Sequence, residues 1–153
     1  MNSSTQCSDF RKRTYALLSI KPDFAESIIR GEKKFEFRRS IFARPVDVIL
    51  VYVTVPVRRV VAEFDVCSVI SETLPTLWKR THQFAGIDSK FFWKYFEGRD
   101  YGHAIEIGDV RLYKIPFCPI EELGVRPPQS FVYLESMATP TLQTIHEPLD
   151  NSG

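Results

Sequence analysis

The chain has 153 residues, 44% of them hydrophobic and 13% aromatic, with a net charge of +1. That supports one domain with a real core and excludes a membrane helix, because no run of about 18 apolar residues exists. The charge is uneven. Residues 1–59 hold 12 Lys and Arg against 6 Asp and Glu, and the remainder holds 8 against 13, so the basic half is suited to attract phosphate.

Residues 1–13 are polar, lack the apolar centre of a secretory signal and are expected to form a disordered arm. "TYALLSI" (14–20) is strand-like. "KPDFAESIIRG" (21–31) reads as a short helix. Pro22 suits its first position, Asp23 and Glu26 its positive end, and Gly31 its left-handed cap. Residues 33–39 then alternate as a strand, with Phe35 and Phe37 on one face and Lys34, Glu36 and Arg38 on the other.

"VDVILVYVTV" (46–55) is apolar on both faces, as a central strand is. A further strand at 57–66 places Val60, Ala62, Phe64 and Val66 opposite Glu63 and Asp65. Helices are expected at about 74–85 and 89–97, ended by Gly86 and Gly98, with Ser89 as the cap of the second. Phe91, Phe92, Tyr95 and Phe96 are expected to form its buried face. Residues 101–117 read as one or two strands with a turn near Gly108–Asp109. "PIEELGVRPPQS" is a loop with a helical turn, and "FVYLE" (131–135) is a closing strand. Residues 136–153 are expected to be a disordered tail. Residues 14–135 thus make the domain, an α+β fold with a small mixed β-barrel, whose closure would protect strand edges.

The three cysteines, Cys7, Cys67 and Cys118, are odd in number and widely spaced, which suggests a reduced, cytoplasmic setting. His82, His103 and His146 have no partner at ligand spacing, so they are not expected to hold a metal. A carboxylate-bound divalent metal stays open, although no paired acidic motif marks it, and no cofactor is expected. No glycine-rich phosphate loop is present.

"LLSIKPDFAESIIRGEKKFEFRR" resembles the ASCH domain family of the PUA-like superfamily. That family has an S-I-[KR]-P-like strand end, a short helix, and G-x-K-x-x-E-x-R, here Gly31, Lys33, Glu36 and Arg38. "VYVTVP" (51–56), "GHAIEI" (102–107) and "RPPQSFVYL" (126–134) match in order, so the resemblance spans about residues 14–135. It implies a PUA-like barrel with few short helices and a cleft beside the first helix. Its partner would be RNA or a nucleobase or nucleoside, with no membrane involved. Some branches resemble amidohydrolases acting on acylated nucleosides, others ribonucleases, so a binding module and a small hydrolase both stay open.

On this reading Lys21, Lys33, Glu36 and Arg38 form the cleft floor, and Thr54, Tyr101 and His103 add ligand contacts. Lys21 lies where unpaired helix N–H groups favour an anion. Lys33 and Glu36 are the catalytic pair if the protein is an enzyme. Glu36 departs from the amidohydrolase-like form, in which this position can hold a hydroxyl residue. The structural alternative is an ion-pair network of Lys33, Glu36 and Arg38. Thr54 fits a strand ending at Pro56 equally well. His103 fits an exposed strand histidine, though Tyr101 and His103 are both suited to stacking on a base.

Overall fold

The structure, a computed structural model, describes residues 12–135 and the backbone of 146–148. Residues 1–11 of the expected arm, and the expected tail apart from 146–148, lie outside the described residues. In chain order the elements are β1 (Tyr15–Ile20), α1 (Pro22–Ile29), β2 (Phe35–Arg38), β3 (Val48–Val53), β4 (Arg59–Thr73), α2 (Leu74–Thr81), a 3-10 turn (His82–Phe84), α3 (Ser89–Tyr95), β5 (Tyr101–Phe117), α4 (Pro119–Leu123), β6 (Phe131–Leu134) and β7 (His146–Pro148). The strands form one sheet in the order β2-β5-β4-β3-β1-β6, and β7 pairs with β5.

Among the described residues only β1 and β3 run parallel, Tyr15 opposite Val48 through Ile20 opposite Val53. Their connection carries α1 and β2 across the sheet, because a parallel pair needs a crossover. β3 is buried at all six positions. Ile49, Val51 and Val53 enter the main core with Ala25 and Ile28 of α1. Val48, Leu50 and Tyr52 enter a second cluster on the other face. A third cluster packs Phe37, Ile70 and Ala104 against Leu77, Phe92 and Phe96 of the helices.

Several expected boundaries change. β4 runs on to Thr73 and β5 runs unbroken through Gly108–Asp109, where a turn was expected. Their pairing shifts register between Val60 and Ala62 and twice more between Phe64 and Ser68. Such bulges bend long strands without ending them, which lets the sheet curl. Gly108 serves close packing, since a Cβ there would stand 2.9 Å from the Cys67 Sγ and 3.1 Å from the Asp65 carbonyl oxygen. Asp88, and not Ser89, caps α3, its carboxylate accepting from the Phe91 N–H at 2.8 Å. The helix expected over 74–85 tightens into the 3-10 turn after Thr81. Gly31, Gly86 and Gly98 take the positive φ that their helix-ending roles require.

Candidate functional site

A cleft of about 540 Å³ opens where β1 and β3 end, beside α1, β2 and α3. The carboxyl ends of parallel strands leave such a crevice because the chain departs from the sheet there. Lys21 is the N-cap of α1, extended at φ −64° and ψ 148°, as a residue before proline prefers. Thr54 follows β3, and its N–H donates to the Ile20 carbonyl at 3.0 Å. Both residues line the cleft.

β2 supplies the floor. Phe35 and Phe37 turn toward the helices, so the two-residue period turns Glu36 and Arg38 the other way. Glu36 is 6% exposed and Arg38 9% exposed. Arg38 Nη2 stands 3.7 Å from Glu36 Oε1, a single loose contact. The same Nη2 donates to the Ser19 carbonyl at 2.9 Å, and Nη1 to Ser130 Oγ at 3.4 Å. Arg38 thereby ties β2, at one end of the sheet, to β1 and the approach to β6 at the other. Glu36 Oε2 and Arg38 Nε, both buried, have no hydrogen-bond partner.

Lys33 precedes β2 and is 2% exposed. The turn after α1 sets it there, with the Lys33 N–H donating to the Ser27 carbonyl at 3.1 Å. Its Nζ donates to the Ala85 carbonyl at 2.6 Å and stands 5.1 Å and 5.0 Å from the ring centres of Phe24 and Phe37. Burial lowers the Lys33 pKa, Glu36 opposes the shift and Arg38 reinforces it. The result is an amine whose charged form is disfavoured although a carboxylate is near.

Five of the expected site residues therefore meet at one cleft: Lys21, Lys33, Glu36, Arg38 and Thr54. Tyr101 and His103 lie outside its lining. Tyr101 is 63% exposed at the start of β5. His103 faces Arg38 in the β2–β5 register, but its Nδ1 meets Ser71 Oγ at 2.7 Å. Burial and the neighbouring Arg99 lower its pKa. Phe91 and Tyr95, which the sequence reading placed in the core, line the cleft, as do Ser19 and Ser130. Among the described residues no group of three His, Cys, Asp or Glu side chains is placed to hold a metal, and no helix is long and apolar enough to cross a membrane.

Residues 18–114 match the ASCH domain family. An ASCH domain-containing ribonuclease of Zymomonas mobilis is 29% identical over 141 residues, which is 90% of this chain and 95% of that protein. A crystal structure of ASCH from Zymomonas mobilis aligns with a TM-score of 0.79 at 28% identity, over 89% of this chain and 98% of that one. A protein named ATP synthase subunit alpha in Ureaplasma parvum serovar 3 is 30% identical over 134 residues, 87% of this chain and 17% of that much longer one. The fold is the PUA-like α+β barrel that the family resemblance implied.

Proposed function

The chain belongs to the ASCH domain family, and from that premise we propose that it binds RNA with one nucleobase in the cleft. The observation that carries this reading is the pair of orphaned atoms, Glu36 Oε2 and Arg38 Nε. A buried acceptor or donor left unpaired costs about 1–3 kcal/mol. A structural ion-pair network would have satisfied both atoms. A nucleobase edge sets an N–H donor beside a carbonyl or ring-nitrogen acceptor, which would pair with both atoms once the two buried side chains turn toward the cleft. Lys21, at the N-terminus of α1 on the cleft wall, suits the strand's phosphate.

The test is binding of short single-stranded RNA as a function of salt and base. Binding is expected at about 50 mM salt and should weaken steeply by about 200 mM. Glu36→Gln turns an acceptor-only group into a mixed one and should change the base preference. Absence of binding at the lower salt would sink the proposal.

A second reading, cleavage of the bound strand, is favoured by the lowered pKa of Lys33 and by the similar protein named as a ribonuclease. Burial favours the uncharged form of the Lys33 amine, and that form would be suited to remove the proton from a ribose 2′-hydroxyl. The 2′-oxygen then attacks the adjacent phosphorus and the P–O5′ bond breaks. The products are a 2′,3′-cyclic phosphate and, once the leaving oxygen takes a proton from water, a 5′-hydroxyl. End-group analysis of labelled RNA, with and without a chelator, checks it. Turnover that survives in Lys33→Met removes Lys33 from the chemistry.

A further inference from the structure

Resting on the RNA reading of the cleft, we propose that the α3 wall is a second nucleotide subsite. The site would then accept a strand of two or more nucleotides in preference to a free nucleoside. Two independent observations support this.

The first is how α3 divides its aromatic residues. The Asp88 cap sets the helix phase, and Phe92 and Phe96 fall on the core face, both 0% exposed. Phe91 and Tyr95, one turn apart, fall on the cleft face. Their rings lie within 11° of parallel, with centres 6.3 Å apart. Phe91 is 38% exposed. Trp93 on the same helix is more exposed yet lies outside the lining, so it is their position on the cleft that sets Phe91 and Tyr95 apart. Bases stack on such rings whatever their identity, because each has a π-face.

The second observation is the charge beside that ledge. The Arg39 guanidinium lies 4.4 Å from the Tyr95 ring centre, held there because its Nε donates to the Tyr95 carbonyl at 2.7 Å. Arg99 Nη1 donates to the Arg39 carbonyl at 3.1 Å, which anchors a second guanidinium to the Arg39 backbone, and both arginines line the cleft. Among the described residues neither arginine has a carboxylate partner, whereas Arg30, Arg80 and Arg111 each have one. Two anchored, unneutralised guanidinium groups beside an aromatic ledge suit a phosphate with its base stacked alongside. The floor at Glu36 and Arg38 takes the first base, and the phosphodiester that leads from it meets Arg39 and Arg99. A free nucleoside would leave both arginines and the ledge unused.

The experiment compares affinities for nucleoside 5′-monophosphates and dinucleoside monophosphates of the same base. The dinucleoside carries the smaller negative charge at neutral pH, so tighter binding reports the second nucleoside and not a gain in charge. The protein should bind the dinucleoside about tenfold or more tightly. Phe91→Ala should bring the ratio toward one, whereas the pair Arg39→Ala with Arg99→Ala, which removes the phosphate partners of both probes, should weaken each by about tenfold. The arginines are exposed, so their double variant keeps the test valid if Phe91→Ala misfolds. A ratio near one in the native chain overturns the subsite, and so does a native ratio in Phe91→Ala together with native affinities in the arginine pair. Failure of every probe to bind overturns the RNA reading along with it.

Discussion

Two charged clusters sit on the sheet, and they are built to opposite specifications. Around Arg111 every prong of the guanidinium is used. Nε and Nη2 donate to Glu63 Oε2 at 3.0 Å and 2.8 Å, Nη1 and Nη2 to the Asp65 carboxylate at 3.0 Å and 2.6 Å, and the Tyr113 hydroxyl closes on Glu63 Oε1 at 2.7 Å. Around Arg38 the contacts are fewer, one ion pair is stretched to 3.7 Å, and two buried polar atoms have no partner. A saturated network offers an incoming ligand nothing and holds β4 to β5. An incomplete one holds the fold less well and keeps bonding capacity for something else. Charge content alone does not separate them, but hydrogen-bond completeness does.

The sharpest way to break this contrast is Arg111→Ala. It strands two carboxylates and should cost about 3 kcal/mol, at the low end for a broken buried pair because Arg111 and Asp65 keep 21% and 27% of their side-chain surface. Denaturant unfolding checks this, and the folded fraction should still bind RNA. An equal loss on removing the cleft lysine would erase the distinction. Lys33→Met should instead stay within about 1 kcal/mol of the native chain, since the loss of the Ala85 bond offsets relief from burying a charge. Strand cleavage, if present, should vanish.

The two variants should also differ in pH response. Lys33 has a folded pKa below its ordinary value of 10.5, so between the two values the unfolded chain binds the extra proton. Native stability therefore gains from Lys33 as pH rises through that window, and Lys33→Met should lack the gain. The smallest effect is expected on the acid side. Hydrogen bonding from Arg111 depresses the Asp65 pKa below 3.8. Its contribution is present above that value and lost as pH falls through the folded pKa. Unfolding midpoints of Asp65→Asn should show a shallower acid decline than the native chain.

Much of this was legible in the sequence where local rules suffice. Pro22 and Gly31 bounded α1, unbroken apolar character marked β3, and alternation put Glu36 and Arg38 on one face. The lengths of β4 and β5 were hidden because each bulge resets the alternation from which a strand is read. Gly108 looked like a turn residue, yet what it accommodates is Cys67, far away in sequence. At the site, the spacing of Lys33, Glu36 and Arg38 was informative. The Ala85 carbonyl that receives Lys33 lies 52 residues on, beyond any local pattern. Phe91 and Tyr95 could not be told from Phe92 and Phe96, since α3 carries aromatic residues on both sides and only the tertiary fold decides which side meets solvent.

Gly86 adds a constraint on how this chain can vary. A Cβ at that position would stand 2.6 Å from both Cβ and Cγ of Lys33 and 2.9 Å from its Cδ, on a backbone at φ +69°. The absent side chain is the space through which the lysine stem passes. Positions 33 and 86 are therefore one mutational unit spread over two distant segments. Any larger residue at 86 must displace the amine, so the lysine is kept in place as much by what is missing from the loop as by what it touches.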